Sequence, residues 1–220
     1  MKPVHTLLAP PLVALAALGA TTAHAAGTQV LNEGFDNIAL LPGWTQVNAS
    51  VPPGGAWFQG NPGVFGAQAG APDAYIAANF LGAGSAGGGV DNWLITPTLD
   101  LSGTSELSFF TRHDAAPGFA DLLEVRFEAG TGTDPSGFTT LLTTIGGAAA
   151  YPADWQQFTA SVTSTGSGRF AFRYTGAADT LNTIGLDTVS VVTAVPEPAA
   201  WTMLALGLGL VTVLRTRTRS

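Results

Sequence analysis

The chain contains no cysteine, and its only lysine is Lys2. The first absence excludes disulfide staples, so stability has to come from the core. Together with a single histidine beyond residue 24, His113, it also excludes a nitrogen- and sulfur-rich zinc site. Charge is scarce at 10% of residues, and positive charge is scarcest where a globule would form. Residues 27–194 hold four arginines (Arg112, Arg126, Arg169 and Arg173) against fourteen acids, a net charge of −10. Such a surface repels nucleic acid, because the phosphate backbone needs Lys and Arg to displace its counterions. It also repels anionic lipid headgroups, while it tolerates divalent cations.

Both ends read as addresses. Met1–His5, with Lys2, is followed by an apolar run from Leu7 to Ala20 and then by Ala23-His24-Ala25. A short basic start, an apolar middle and an Ala-x-Ala site form a secretory signal peptide over 1–25, cut by signal peptidase after Ala25. At the other end, Pro196-Glu197-Pro198 precedes 16 largely apolar residues, Ala199 to Leu214. As a helix these span ~24 Å, just enough to cross a bilayer that thins locally. Arg215, Arg217 and Arg219 follow and keep that end cytoplasmic, so the preceding domain lies outside. The order of motif, apolar helix and basic end over 195–220 resembles the PEP-CTERM sorting signal. The resemblance implies processing by an exosortase near Pro196-Glu197-Pro198. It also implies a Gram-negative host, an inner-membrane-tethered precursor, and delivery to the cell surface or extracellular matrix.

The segment between, 27–194, shows no apolar residues at helical spacing over three turns. Short runs of period two are bounded by Gly, Pro, Asn, Asp and Ser. Leu123, Val125 and Phe127 alternate with Glu124, Arg126 and Glu128. Phe158, Ala160 and Val162 alternate with polar residues, as do Phe170, Phe172 and Tyr174. Further strands are expected at 56–59, 74–80, 93–99, 106–111, 138–145 and 184–192. About nine or ten antiparallel strands with one wet face predict an all-β, jelly-roll-like antiparallel β-sandwich, flanked by the signal-peptide helix and the C-terminal transmembrane helix.

The landmarks Asn32-Glu33-Gly34-Phe35-Asp36, Asp91-Asn92-Trp93-Leu94-Ile95-Thr96-Pro97 and Ile184-Gly185-Leu186-Asp187-Thr188-Val189 follow in order. Over Asn32 to Val192 the chain resembles the choice-of-anchor J domain, related to the cleaved-adhesin and MAM-like jelly rolls. Calcium is the metal that oxygen-only ligands would hold. Asp187 stands inside an apolar strand, where a carboxylate is costly unless paired or metal-bound. If the terminal strands lie together, Glu33, Asp36 and Asp187 come close, and Asp91 is a fourth candidate. The resemblance implies structural calcium near these positions, although Thr188 stands where relatives carry a second Asp or Asn. The alternative is that Asp187 is edge-exposed or that Glu33 pairs with Arg169 or Arg173.

Catalysis has little to work with. No Gly-x-Ser-x-Gly elbow exists, and His113 beside Asp114 reads as a surface residue. Asp121, Glu124 and Glu128 are candidates for a carboxylate pair by residue type alone. Trp44, Trp57, Trp93 and Trp155, with Tyr75 and Tyr151, would make a sugar-stacking platform if exposed, but their apolar surroundings favour core packing. The expectation is therefore a non-catalytic exported protein for adhesion or matrix organisation. The second reading is a carbohydrate-binding module for extracellular polysaccharide, and the third a secreted glycoside hydrolase.

Overall fold

The computed structural model describes residues 27–194. The expected signal peptide with Ala23 and Ala25 lies outside the described residues. So does the sorting tail with Pro196, Glu197, Pro198, Arg215, Arg217 and Arg219. No helix among the described residues is long and apolar enough to cross a membrane.

Ten strands follow one another: β1 (Thr28–Glu33), β2 (Thr45–Asn48), β3 (Phe58–Gln59), β4 (Ile76–Asn79), β5 (Gly89–Ile95), β6 (Leu99–His113), β7 (Leu122–Ala129), β8 (Thr140–Gly146), β9 (Gln156–Ala177) and β10 (Thr183–Thr193). Among the described residues, four single-turn 3-10 helices lie between them. All pairings are antiparallel, and together they form a curled sheet that folds into two layers. One layer runs β2-β5-β9-β7-β8 and uses the second half of β9. The other runs β9-β6-β10 and uses the first half; β10 then pairs with β4 near its start and with β1 near its end. The jelly-roll-like all-β expectation holds.

The 22-residue β9 carries the architecture. Its alternating runs at 158–162 and 170–174 read as two strands across Thr165-Gly166-Ser167-Gly168. In the structure they are one strand, because β6 pairs with it without a break from Gln156 to Gly168. The bend falls at the glycines. Gly166 has φ +92°, a backbone open chiefly to glycine. At Gly168 a Cβ would come within 2.8 Å of the Phe127 ring and 2.9 Å of Leu101, so the strand passes between layers only where it has no side chain. Other boundaries also shift. β5 ends at Ile95, ahead of Pro97, and β6 starts at Leu99. β2 carries no clear alternation in sequence and exists through its pairing to β5.

The period-two readings identify the core. Leu123, Val125, Phe170, Phe172 and Tyr174 are fully buried. Phe109 of β6 meets Phe172 edge-on across the two layers at 5.1 Å between centroids. Ala160 is buried, whereas Phe158 and Val162 are only partly covered. Both chain ends of the described domain emerge at one pole, where Thr28 lies opposite Thr193. The opposite pole carries the loops 80–88, 114–121 and 178–182.

Candidate functional site

Asp187 is completely buried in β10, as its apolar neighbours predict, and it is not exposed at an edge. Its carboxylate is satisfied by backbone donors. The N–H groups of Gln68 (2.8 Å) and Ala69 (3.1 Å) donate to Oδ2, and that of Thr188 (2.6 Å) to Oδ1. Burial pushes this carboxyl above its ordinary range, and those hydrogen bonds pull it part of the way back. The side chain of Thr188 also bonds Gln68 Oε1 at 2.9 Å. Asp187 thus pins the 66–70 loop to the middle of β10, between the stretches paired with β4 and β1.

Glu33 and Asp36 border the same region. Glu33 lies opposite Val189 on β10 and accepts from the Phe35 N–H at 2.8 Å. Asp36 is exposed, and a Cβ on Gly70 would lie 3.2 Å from its Oδ1. Phe35 (φ +54°) and Thr188 (φ +50°) are the two non-glycine residues of the described chain with left-handed backbones. Each adjoins a candidate carboxylate, and this strain marks the segment as constrained. The side-chain ligand atoms gathered here are oxygens: three carboxylates and the Gln68 amide oxygen. That set suits calcium rather than zinc. Among the described residues, however, no three acidic or histidine groups converge closely enough to grip one ion. Asp187 also already spends both oxygens on N–H donors.

Asp91 is not part of this group. It lies on β5 in the other layer, where Oδ1 accepts from Arg173 Nε (2.6 Å) and Trp93 Nε1 (2.7 Å). Arg173 continues to Glu124 at 3.1 Å, and Glu124 also accepts from Arg126 at 2.7 Å. Burial pushes the Glu124 carboxyl up, but the two arginines outweigh it and hold it below the usual range. Trp93 lies beneath Arg173, 5.1 Å from the guanidinium to the ring. The row is an ion-pair ladder over the outer face of β5, β9 and β7. Glu33 pairs with neither Arg169 nor Arg173; Arg169 instead donates to the carbonyls of Thr96 and Gly43.

The carboxylates considered for hydrolysis are each engaged separately. Glu124 belongs to the ladder, and Glu128 is enclosed by the glycines of the 130–137 loop. Asp121 is fully buried and bonded to His113 Nδ1 at 3.0 Å. Its other oxygen accepts from Tyr174 OH (2.5 Å) and Asn182 N (2.9 Å). His113, which sequence places at the surface beside Asp114, is therefore part of an internal network. A weak signal was present: His113 and Asp121 flank a loop rich in Ala, Pro and Gly that returns the chain on itself. The aromatic candidates line cores. Trp57, Trp93, Tyr75 and Tyr151 are buried. Trp155 packs edge-on to Phe65 and Tyr75, and Trp44 edge-on to Phe35. Among the described residues no two tryptophans form a stacking platform.

Comparison with known proteins fits this geometry. The model of the Cleaved Adhesin Domain matches residues 28–191. The K1 cleaved adhesin domain of Lys-gingipain from Porphyromonas gingivalis W83 is 28% identical, with a TM-score of 0.59 over 77% of this chain and 100% of that one. The K3 domain of the same protein is 26% identical, with a TM-score of 0.58 over 76% and 99%. The K2 domain, 22% identical with a TM-score of 0.53 over 75% and 98%, shares the fold. No curated protein sequence matches. The match runs from the start of β1 into β10 and shows that this chain belongs to the Cleaved Adhesin Domain family.

Proposed function

We propose that this chain is an exported, non-catalytic adhesion protein of the cell surface or extracellular matrix. The observation that carries the reading is the family match across the whole sandwich. The ends support it: a signal peptide in front, and behind it the tail that resembles a PEP-CTERM signal and would be handed to an exosortase. The acidic surface suits a protein that works outside the cell, where solubility matters and polyanions are not its targets. Fractionation of the native host, with mass measurement of the mature chain, tests the sorting. The expected product starts after Ala25, ends near Pro196-Glu197-Pro198, and is found at the surface or in the matrix. A chain recovered from the inner membrane with residues 199–220 intact overturns the sorting. Host cells lacking the chain should attach less to surfaces and to one another, and unchanged attachment overturns the adhesive role.

A structural calcium ion is a second part of the proposal. Glu33, Asp36 and carbonyls of the 66–73 loop would supply its oxygens, and Asp187 would brace the loop from behind. Its role would be to fix the junction of β1, β10 and that loop. A chelator is expected to lower the melting temperature of the wild-type chain, while Asp36→Asn, at an exposed position, removes most of that shift. A melt that chelator leaves unchanged takes the ion out of the account.

A further inference from the structure

We infer that the open edge of the first half of β9 is a contact surface for a second copy of this chain, joined strand to strand in antiparallel register. From Gln156 to Gly166 β9 pairs on one side only, with β6. Among the described residues no strand pairs with its other side, and the first backbone group to reach it is the Gly130 N–H, at Ser167 O. Most of these residues are exposed. An edge of this kind offers unpaired N–H and C=O groups, and proteins normally guard it with charge, proline, bulges or shortness. The other edges are guarded: β2 has four residues and β3 two, β1 carries a bulge between Gln29 and Leu31, and β8 is irregular, with Leu142 as an extra residue against β7. The β9 edge has no such protection. From Gln156 to Gly166 there is no charged residue and no proline, over about 36 Å of extended chain.

Self-complementarity points to a second copy as the occupant. Two copies of a domain with a net charge of −10 repel each other over most of their surface, and this strip lets them approach without facing like charges. The strip is also complementary to itself. With Ser161 on the two-fold axis, Thr159 stands opposite the partner's Thr163, Gln157 opposite the partner's Thr165, and Ala160 opposite the partner's Val162. Cross-strand Thr and Ser pairs on one face and small apolar pairs on the other are favourable neighbours. Phe158 and Val162, partly uncovered at this edge, gain cover on the core side. Glu106, opposite Ser161 on β6, is the nearest acid, and it lies three strand spacings (about 14 Å) from the partner's Glu106. That is beyond the ~8 Å screening length at physiological salt.

Because the chain has no cysteine, one introduced thiol reports the contact without background. In the full-length chain, Ser161→Cys places two thiols at the axis, and mild oxidation should give a disulfide-linked dimer. Thr104→Cys, exposed on the inner neighbour β6, should give none. Adding Thr159→Lys and Thr163→Lys to Ser161→Cys sets lysines opposite one another and should cut cross-linking more than tenfold. Thr159→Lys with Thr163→Asp sets opposite charges face to face and should restore it. These positions are exposed, and a thermal melt confirms that each variant is folded. The inference is overturned if Ser161→Cys links no faster than Thr104→Cys, as it would if another segment or a foreign strand held the edge. It is equally overturned if linking ignores the lysine pair, as it would if the chains associated through another surface.

Discussion

Asp187→Ala should destabilise the domain by about 3–5 kcal/mol, measured by urea unfolding with chelator present so that no ion contributes. Three partly covered backbone N–H groups, those of Gln68, Ala69 and Thr188, lose the buried acceptor they share. A fully buried donor left unpaired costs about 1–3 kcal/mol, and partly covered ones fall toward the lower end, about 1 kcal/mol each. For a domain of this size the melting temperature should fall by roughly 10 °C or more. Asp187→Asn keeps one oxygen acceptor in place and should cost clearly less. If alanine at 187 costs under about 1 kcal/mol, the carboxylate does not hold the 66–70 loop, and the account of that junction is wrong.

The second large effect belongs to the internal network that sequence did not reveal. Asp121→Ala should also cost about 3–5 kcal/mol, because its buried carboxyl is the shared partner of three polar groups and each one left unpaired costs about 1–3 kcal/mol. The loss strands His113 Nδ1, the Tyr174 hydroxyl and the Asn182 N–H together. Burial and the neighbouring Asp121 both push the Tyr174 phenol far above its ordinary range, so it serves only as a neutral donor. Tyr174→Phe should therefore cost about 1 kcal/mol alone. In the Asp121→Ala background it should cost less, because its partner is already gone. A double-mutant cycle measures that coupling; strictly additive losses would show that the two groups do not interact.

These residues show where sequence is readable. Asp187 is conspicuous because it breaks a run of alternating apolar residues whose burial follows from period two alone. The inward faces of β7 and β9 are legible for the same reason. Asp121 is not conspicuous. Of its partners, His113 lies on β6, Tyr174 on β9 and Asn182 in the connection before β10; only the topology brings them together, and the adjacent Asp114 offers a nearer, misleading partner for His113. Asp91 fails as a companion of Glu33 for a related reason. Its place in the landmark Asp91-Asn92-Trp93 says nothing about layer, and pairing with β9 carries it to Arg173 instead. The join in β9 is hidden too, since Thr165-Gly166-Ser167-Gly168 has the composition of a turn and becomes a bend only because β6 runs alongside without interruption.

The placement of β10 bears on how the domain withstands force. It is clamped on one side by β6 and on the other by β4 and then β1. Antiparallel hydrogen bonds lie across the strand axis, so tension drawn out through Ala194 loads two rows in shear at once, with the bonds sharing the strain. Tension drawn out through Thr28 instead loads only the single row that ties β1 to β10. Under flow or traction the domain is strong when held by its last strand and weak when held by its first.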